Sequence, residues 1–131
     1  MRRVSKIGRM EAEILRFIAE HQPIAVREVA EHFAQTKGYA RTTVLTVMER
    51  LRRKGYLKRK KVDNAYQYSL SQPKTTLFQS LVRDFVQSIL GGSISPFVAY
   101  LSQEAKLSDE ELQELRRIIS ELEERKSRTT N

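Results

Sequence analysis

Apolar residues recur along this chain at two spacings, and the switch between them organises it. Met10, Ile14, Phe17 and Ile18 fall at helical intervals, with Leu15 flanking them and Glu11, Glu13, Arg16 and Glu20 outside. Gly8 and His21-Gln22-Pro23 bracket this first helix, predicted over 9–20. Ile24 reads as a short extended residue. Val26, Val29, Ala30 and Phe33 make a second helical stripe that ends before Lys37-Gly38. A third helix runs from about Ala40 to Lys54, with Val44, Val47, Met48 and Leu51 on one side and Gly55 as its terminator.

The period then becomes strand-like. Residues 56–60 and 65–70 alternate, and Val62-Asp63-Asn64 is predicted as the turn between them. Three helices followed by a two-stranded hairpin is the order of a winged helix-turn-helix, closed by Pro73. From Lys74 the pattern is helical again: Leu77, Leu81, Phe85 and Ile89 recur at intervals of four until Gly91-Gly92. A short helix starts near Ser95-Pro96 and offers Phe97, Val98 and Leu101. The last helix has the clearest start, because Ser108 with Glu111 forms a capping box and Leu107 with Leu112 a hydrophobic staple. Leu112, Leu115, Ile118, Ile119 and Leu122 continue its stripe, and the polar tail from Arg125 is expected to fray.

The predicted fold is therefore mostly α with a small β-hairpin. A winged helix-turn-helix domain occupies 1–72, and a three-helix C-terminal dimerisation domain occupies 73–131. Three short helices cannot bury this many large apolar side chains against one another. A second copy is the economical cover, so a two-fold homodimer is expected through Leu77, Leu81, Phe85, Phe97, Leu112, Leu115, Ile118, Ile119 and Leu122. Packing back onto the winged domain of the same chain is the alternative.

Charge sharpens the picture. The net charge of +8 is confined to one half: residues 1–72 hold 16 Lys and Arg against 7 Asp and Glu, and the remainder hold 8 against 9. Eight of the twelve residues from Arg50 to Lys61 are basic. Such a patch is the electrostatic footprint of a nucleic-acid module. On the third helix the side away from the apolar stripe carries Thr42, Thr46, Glu49 and Arg53, flanked by Thr43, Leu45 and Arg50. Three threonines near one helix start are unusual, since threonine forms helix poorly. Their hydroxyls and methyls, with Arg41, suit base edges in a major groove, and Leu45 suits a thymine methyl. Arg50 and Lys54, with Lys58, Arg59, Lys60 and Lys61 of the hairpin, suit phosphate. Ordinary solvated faces are the plainer reading of both groups. Tyr66 and Tyr68 read as packing residues of the hairpin.

Other chemistry finds little footing. The chain has no cysteine, which removes disulfides and thiolate metal sites and fits a cytoplasmic protein. His21 and His32 lie in different segments with no acidic pair at ligand spacing, so no metal, cofactor or catalytic residue is expected, and no enzymatic activity. No apolar run is long enough for a membrane helix. Arg2, Arg3 and Lys6 read as a solvated tail or a phosphate-touching arm, and no signal peptide is expected.

The run TTVLTVMERLRRKGYLKRKK, the alternating YQYSL, the Gly91-Gly92 break and the closing KLSDEELQELRRIISELEE resemble the penicillinase-repressor family, which includes methicillin-resistance and copper-responsive repressors. The resemblance spans about Gly8 to Glu124. It implies a winged-helix transcriptional repressor whose homodimer binds a two-fold symmetric double-stranded DNA operator. The family's DNA-contacting helix falls on Thr42, Thr43, Leu45 and Thr46, and its basic wing on Lys58 to Lys61. A regulatory protease is implied for antibiotic-sensing members, which are cut at an Asn-Phe bond. That bond aligns here with Tyr100-Leu101, so the scissile residues are missing. Copper sensing through a C-terminal cysteine cluster is excluded. Ala12 and Ala19 stand where relatives often carry tryptophan, which is expected to alter core filling. A ligand-responsive regulator with a pocket around Phe78, Phe85 and Phe97 is an alternative. A winged-helix protein-interaction module without sequence-specific DNA binding is another.

Overall fold

A computed structural model describes residues 7–129. Its elements run α1 (Arg9–His21), β1 (Ile24–Ala25), α2 (Val26–Lys37), α3 (Arg41–Arg53), β2 (Leu57–Val62), β3 (Ala65–Leu70), α4 (Lys74–Ser88), α5 (Ser95–Gln103) and α6 (Asp109–Thr129). This is the predicted winged helix-turn-helix order followed by three helices. Arg2, Arg3 and Lys6 lie outside the described residues, as do Thr130 and Asn131. The described part of the tail from Arg125 continues α6 to Thr129.

The first three helices close over one core. Ile14, Leu15 and Ile18 of α1 meet Val29, Ala30 and Phe33 of α2 and Val44, Val47, Met48 and Leu51 of α3, all nearly or fully buried. Each large aliphatic side chain so buried contributes roughly 1.5–3 kcal/mol. Leu15, expected only to flank the stripe, is wholly buried, because β3 also packs on α1. Glu11, expected outside, is buried as well. Of the two alanines, Ala19 lies in the core whereas Ala12 is exposed, so only the former bears on core filling.

Two glycines set the helix–turn geometry. Gly38 (φ 70°) ends α2, and Gly55 (φ 91°) ends α3. At the second, the Tyr56 N–H donates to the Leu51 carbonyl and the Gly55 N–H to that of Arg52, a Schellman closure that satisfies two last-turn carbonyls. Tyr56 is thereby turned into the core rather than joining the strand. The sheet has three strands instead of two, in the order β1-β3-β2, because Ile24 and Ala25 pair antiparallel with Tyr68 and Gln67. The β2–β3 turn is Asp63-Asn64 alone, both at positive φ, and Val62 pairs with Ala65.

Contacts divide the described chain after Gly92. α4 stays with the first unit: Leu77 is 2% exposed within its core, and Phe78 and Leu81 pack partly against it. In the second unit, α6 starts as its sequence dictates. Ser108 Oγ accepts from the Glu111 N–H at 3.1 Å, and Glu111 Oε1 accepts from the Ser108 N–H at 3.0 Å. None of its side chains is fully buried. Phe97, Val98 and Tyr100 of α5 and Leu112, Ile118, Ile119 and Leu122 of α6 are exposed, and Leu101 and Leu115 are half-buried.

Candidate nucleic-acid interface

The outer face of α3 is defined by what its inner face buries. With Val44, Val47, Met48 and Leu51 in the core, a 3.6-residue turn leaves Arg41, Thr42, Thr43, Leu45, Thr46, Arg50 and Arg53 in solvent. Leu45 is 42% exposed, an apolar side chain with no cover. Leu45, Thr46, Glu49, Arg50 and Arg53 line a shallow concavity along this face. The Thr46 hydroxyl donates to the Thr42 carbonyl at 2.9 Å, so it presents its lone pairs and methyl outward. Ala40 gives the helix no side-chain cap, and the first turn holds no acid. The N-terminal N–H groups are therefore left to whatever anion approaches.

The cations around this face are not equally free to move. Arg41 is paired across the turn with Glu31 of α2, whose other oxygen accepts from Gln35 at 2.8 Å. The Arg41 hydrogen bond and charge hold the Glu31 carboxyl below the usual carboxylate range. Lys54 sets its ammonium 3.0 and 3.2 Å from the oxygens of Glu11, with Arg50 at 4.0 Å. Burial pushes the Glu11 carboxyl up, but the Gly8 N–H at 2.8 Å and these cations outweigh it and leave it below the ordinary value. Arg50 remains half exposed, whereas Lys54 is turned mostly inward.

In the sheet, register decides which wing cations point where. Arg59 is paired with Tyr68 and shares the core-side face of the sheet with Leu57, Tyr68 and Leu70. Its guanidinium lies 4.1 Å over the Tyr66 ring, 3.5 Å from the Tyr68 hydroxyl and 3.4 Å from Glu49 of α3. Lys58 and Lys60 alternate to the other face, and with Lys61 they are exposed. The structure thus brings Thr42, Thr43, Leu45, Thr46, Arg50 and Arg53 onto one surface beside the wing. Lys54 is drawn toward Glu11 and Arg59 toward Glu49.

Sequence reasoning gave no role to Glu11, Glu31 or Glu49, the acids that orient these cations. Glu49 stands three and four residues before Arg52 and Arg53, a helical ion-pair spacing visible in the sequence. The Glu31–Arg41 and Glu11–Lys54 pairs join different helices and leave no local signal. Elsewhere, His21 and His32 stack on opposite sides of Phe17 at 4.2 and 4.0 Å. Among the described residues no group of His, Asp or Glu is placed to hold a metal ion, and no helix is long and apolar enough to cross a membrane.

Known proteins are similar to this chain in sequence and, over part of it, in fold. The family model described as penicillinase repressor matches residues 7–121. The penicillinase repressor of Bacillus licheniformis is 25% identical over 126 residues, covering 96% of this chain and 98% of that protein. The methicillin resistance regulatory protein MecI of Staphylococcus aureus (strain N315) is 24% identical over 115 residues, covering 88% and 94%. The solution structure of the DNA binding domain of the repressor BlaI is 25% identical with a TM-score of 0.51, over 57% of this chain and 92% of that one.

Proposed function

The chain belongs to the penicillinase repressor family, and from that membership we propose that it is a homodimeric transcriptional repressor of a two-fold symmetric DNA operator. The observation that carries this is the split of α3 into a core face and an exposed face of Thr42, Thr43, Leu45 and Thr46, flanked by cations. That face inserts in the major groove, where threonine and Arg41 meet base edges and Leu45 a thymine methyl. Arg50 and the wing residues Lys58, Lys60 and Lys61 hold the phosphates on either side, Arg59 reaches them from its seat against Glu49 and Tyr66, and Lys54 reaches them by leaving Glu11.

One half-site grips weakly, and linkage makes the pair of half-sites strong. The exposed apolar faces of α5 and α6, together with Val82, Phe85 and Ile89 of α4, support a second copy as the link. Leu77 has no surface left to offer a partner, so its part is to anchor α4. In the dimer two α3 helices lie about one turn of duplex, roughly 34 Å, apart, and occupancy of a promoter blocks transcription. Induction by cleavage is not proposed, since Tyr100-Leu101 replaces the bond that antibiotic-sensing members offer.

Sedimentation and a mobility-shift titration test the dimer together with the DNA contact. Leu115→Asp is expected to yield a folded monomer whose operator affinity falls about 100-fold, within the range linkage supplies. A charged variant that stays dimeric and binds equally well overturns the interface. Wild-type chain that shows no preference among duplexes overturns the repressor reading in favour of a protein-interaction module.

A further inference from the structure

From Arg41 to Val62 the sequence carries nine Lys and Arg residues and one acid, Glu49. That acid gathers three of them. Its carboxylate accepts two N–H bonds from Arg52 and lies 3.3 Å from Arg53 Nε and 3.4 Å from Arg59 Nη1. Three guanidiniums, two from α3 and one from the wing, therefore converge on a single carboxylate. The Glu49 and Arg59 side chains are 28% and 31% exposed, and Arg59 is also held over Tyr66. The Arg52 hydrogen bond and the surrounding positive charge keep the Glu49 carboxyl below the usual range, so it stays ionised at neutral pH.

We propose that Glu49 is a specificity-determining residue of the DNA interface: it fixes the Arg52 and Arg59 forks and opposes any duplex that brings a phosphate against it. The proposal rests on the repressor reading above. A purely cationic surface attracts phosphate in every register alike. One fixed negative charge among the cations breaks that equality, because a phosphate seated on it is repelled and leaves the arginines competing for two anions. Discrimination between partners grows from such repulsive elements as much as from favourable contacts. In the matched register the backbone passes on either side of Glu49, and the arginine forks are already aimed. A planar fork held by a carboxylate loses little freedom when it binds.

The test begins with full-length wild type and a random duplex pool. The enriched duplex and a shuffled version are then titrated over a salt series with wild type, Glu49→Gln, Glu49→Asp, Arg59→Gln and the Glu49→Gln, Arg59→Gln pair. Glu49→Gln is expected to bind shuffled duplex more tightly and to lose about tenfold in the ratio of enriched to shuffled affinity, the scale of one mismatched base pair. Its log–log salt slope on shuffled duplex steepens by about one as a released arginine takes up a phosphate. In the pair, the added Arg59→Gln returns that slope toward the wild-type value. Glu49→Asp keeps the charge and recovers discrimination, which a mere packing defect would not do. If wild type selects a site and Glu49→Gln discriminates equally well, the Glu49 proposal fails and the repressor reading stands. If wild type selects no site, both fall.

Discussion

Glu11 brings its charge into packed surroundings, 6% exposed, and three partners make that tolerable: the Gly8 N–H, Lys54 and, at 4.0 Å, Arg50. They hold its pKa below the unfolded value of about 4.3. A carboxyl depressed in the folded state stabilises above the unfolded pKa, and that contribution is lost as pH falls through the folded one. Glu11→Ala is expected to cost about 2 kcal/mol near neutrality, the scale of a charged hydrogen bond. The difference from wild type narrows as pH falls below the ordinary carboxylate range, and urea unfolding at neutral and at acid pH measures it. Helical periodicity placed Glu11 outside with Glu13 and Glu20, which is right for an isolated helix. The end of α3, 43 residues later, covers that position, and no local pattern announces it. The outward threonines were legible in the sequence: burial of Val44, Val47, Met48 and Leu51 forces Thr42 and Thr46 outward, whatever else the chain does.

At the scale of elements, glycine and short turns carried most of the information. Gly55 was legible as a terminator because a helix that must reverse into a strand needs a left-handed residue. A Cβ there would meet nothing within 4 Å. The cost of Gly55→Ala is therefore one of backbone conformation, about 1–2 kcal/mol, and thermal unfolding should show it without any change in secondary structure. The hairpin turn was read one residue too long. Asp63 (φ 51°) and Asn64 (φ 65°) both tolerate the left-handed region and make a two-residue loop on their own, returning Val62 to the ladder. Strand β1 has two residues, too few for any period, so its pairing with β3 was out of reach. For α4, periodicity identified the helix but not its allegiance, since a stripe of Leu77, Leu81 and Phe85 looks the same whichever core receives Leu77.

Over the whole molecule, the excess positive charge lies in residues 1–72, while 73–131 is nearly neutral. If about 6–10 phosphates are neutralised by a bound dimer, the log–log slope of affinity against salt is expected at about −5 to −9. A slope near zero in a filter-binding series would contradict a phosphate-driven contact. The same distribution was the most legible large-scale property of the chain. The exposure of Phe97, Ile119 and Leu122 followed from counting apolar stripes against the number of helices available to cover them. Among the described residues strand β2 has one neighbour, so its outer edge keeps unpaired backbone donors and acceptors along its length. The lysines of this strand and Arg59 discourage another wing from adding to it. Stripping Lys58, Lys60 and Lys61 would thus expose a template for edge-to-edge stacking, and the resulting protein would be lost to aggregation before its grip on an operator came to be weighed.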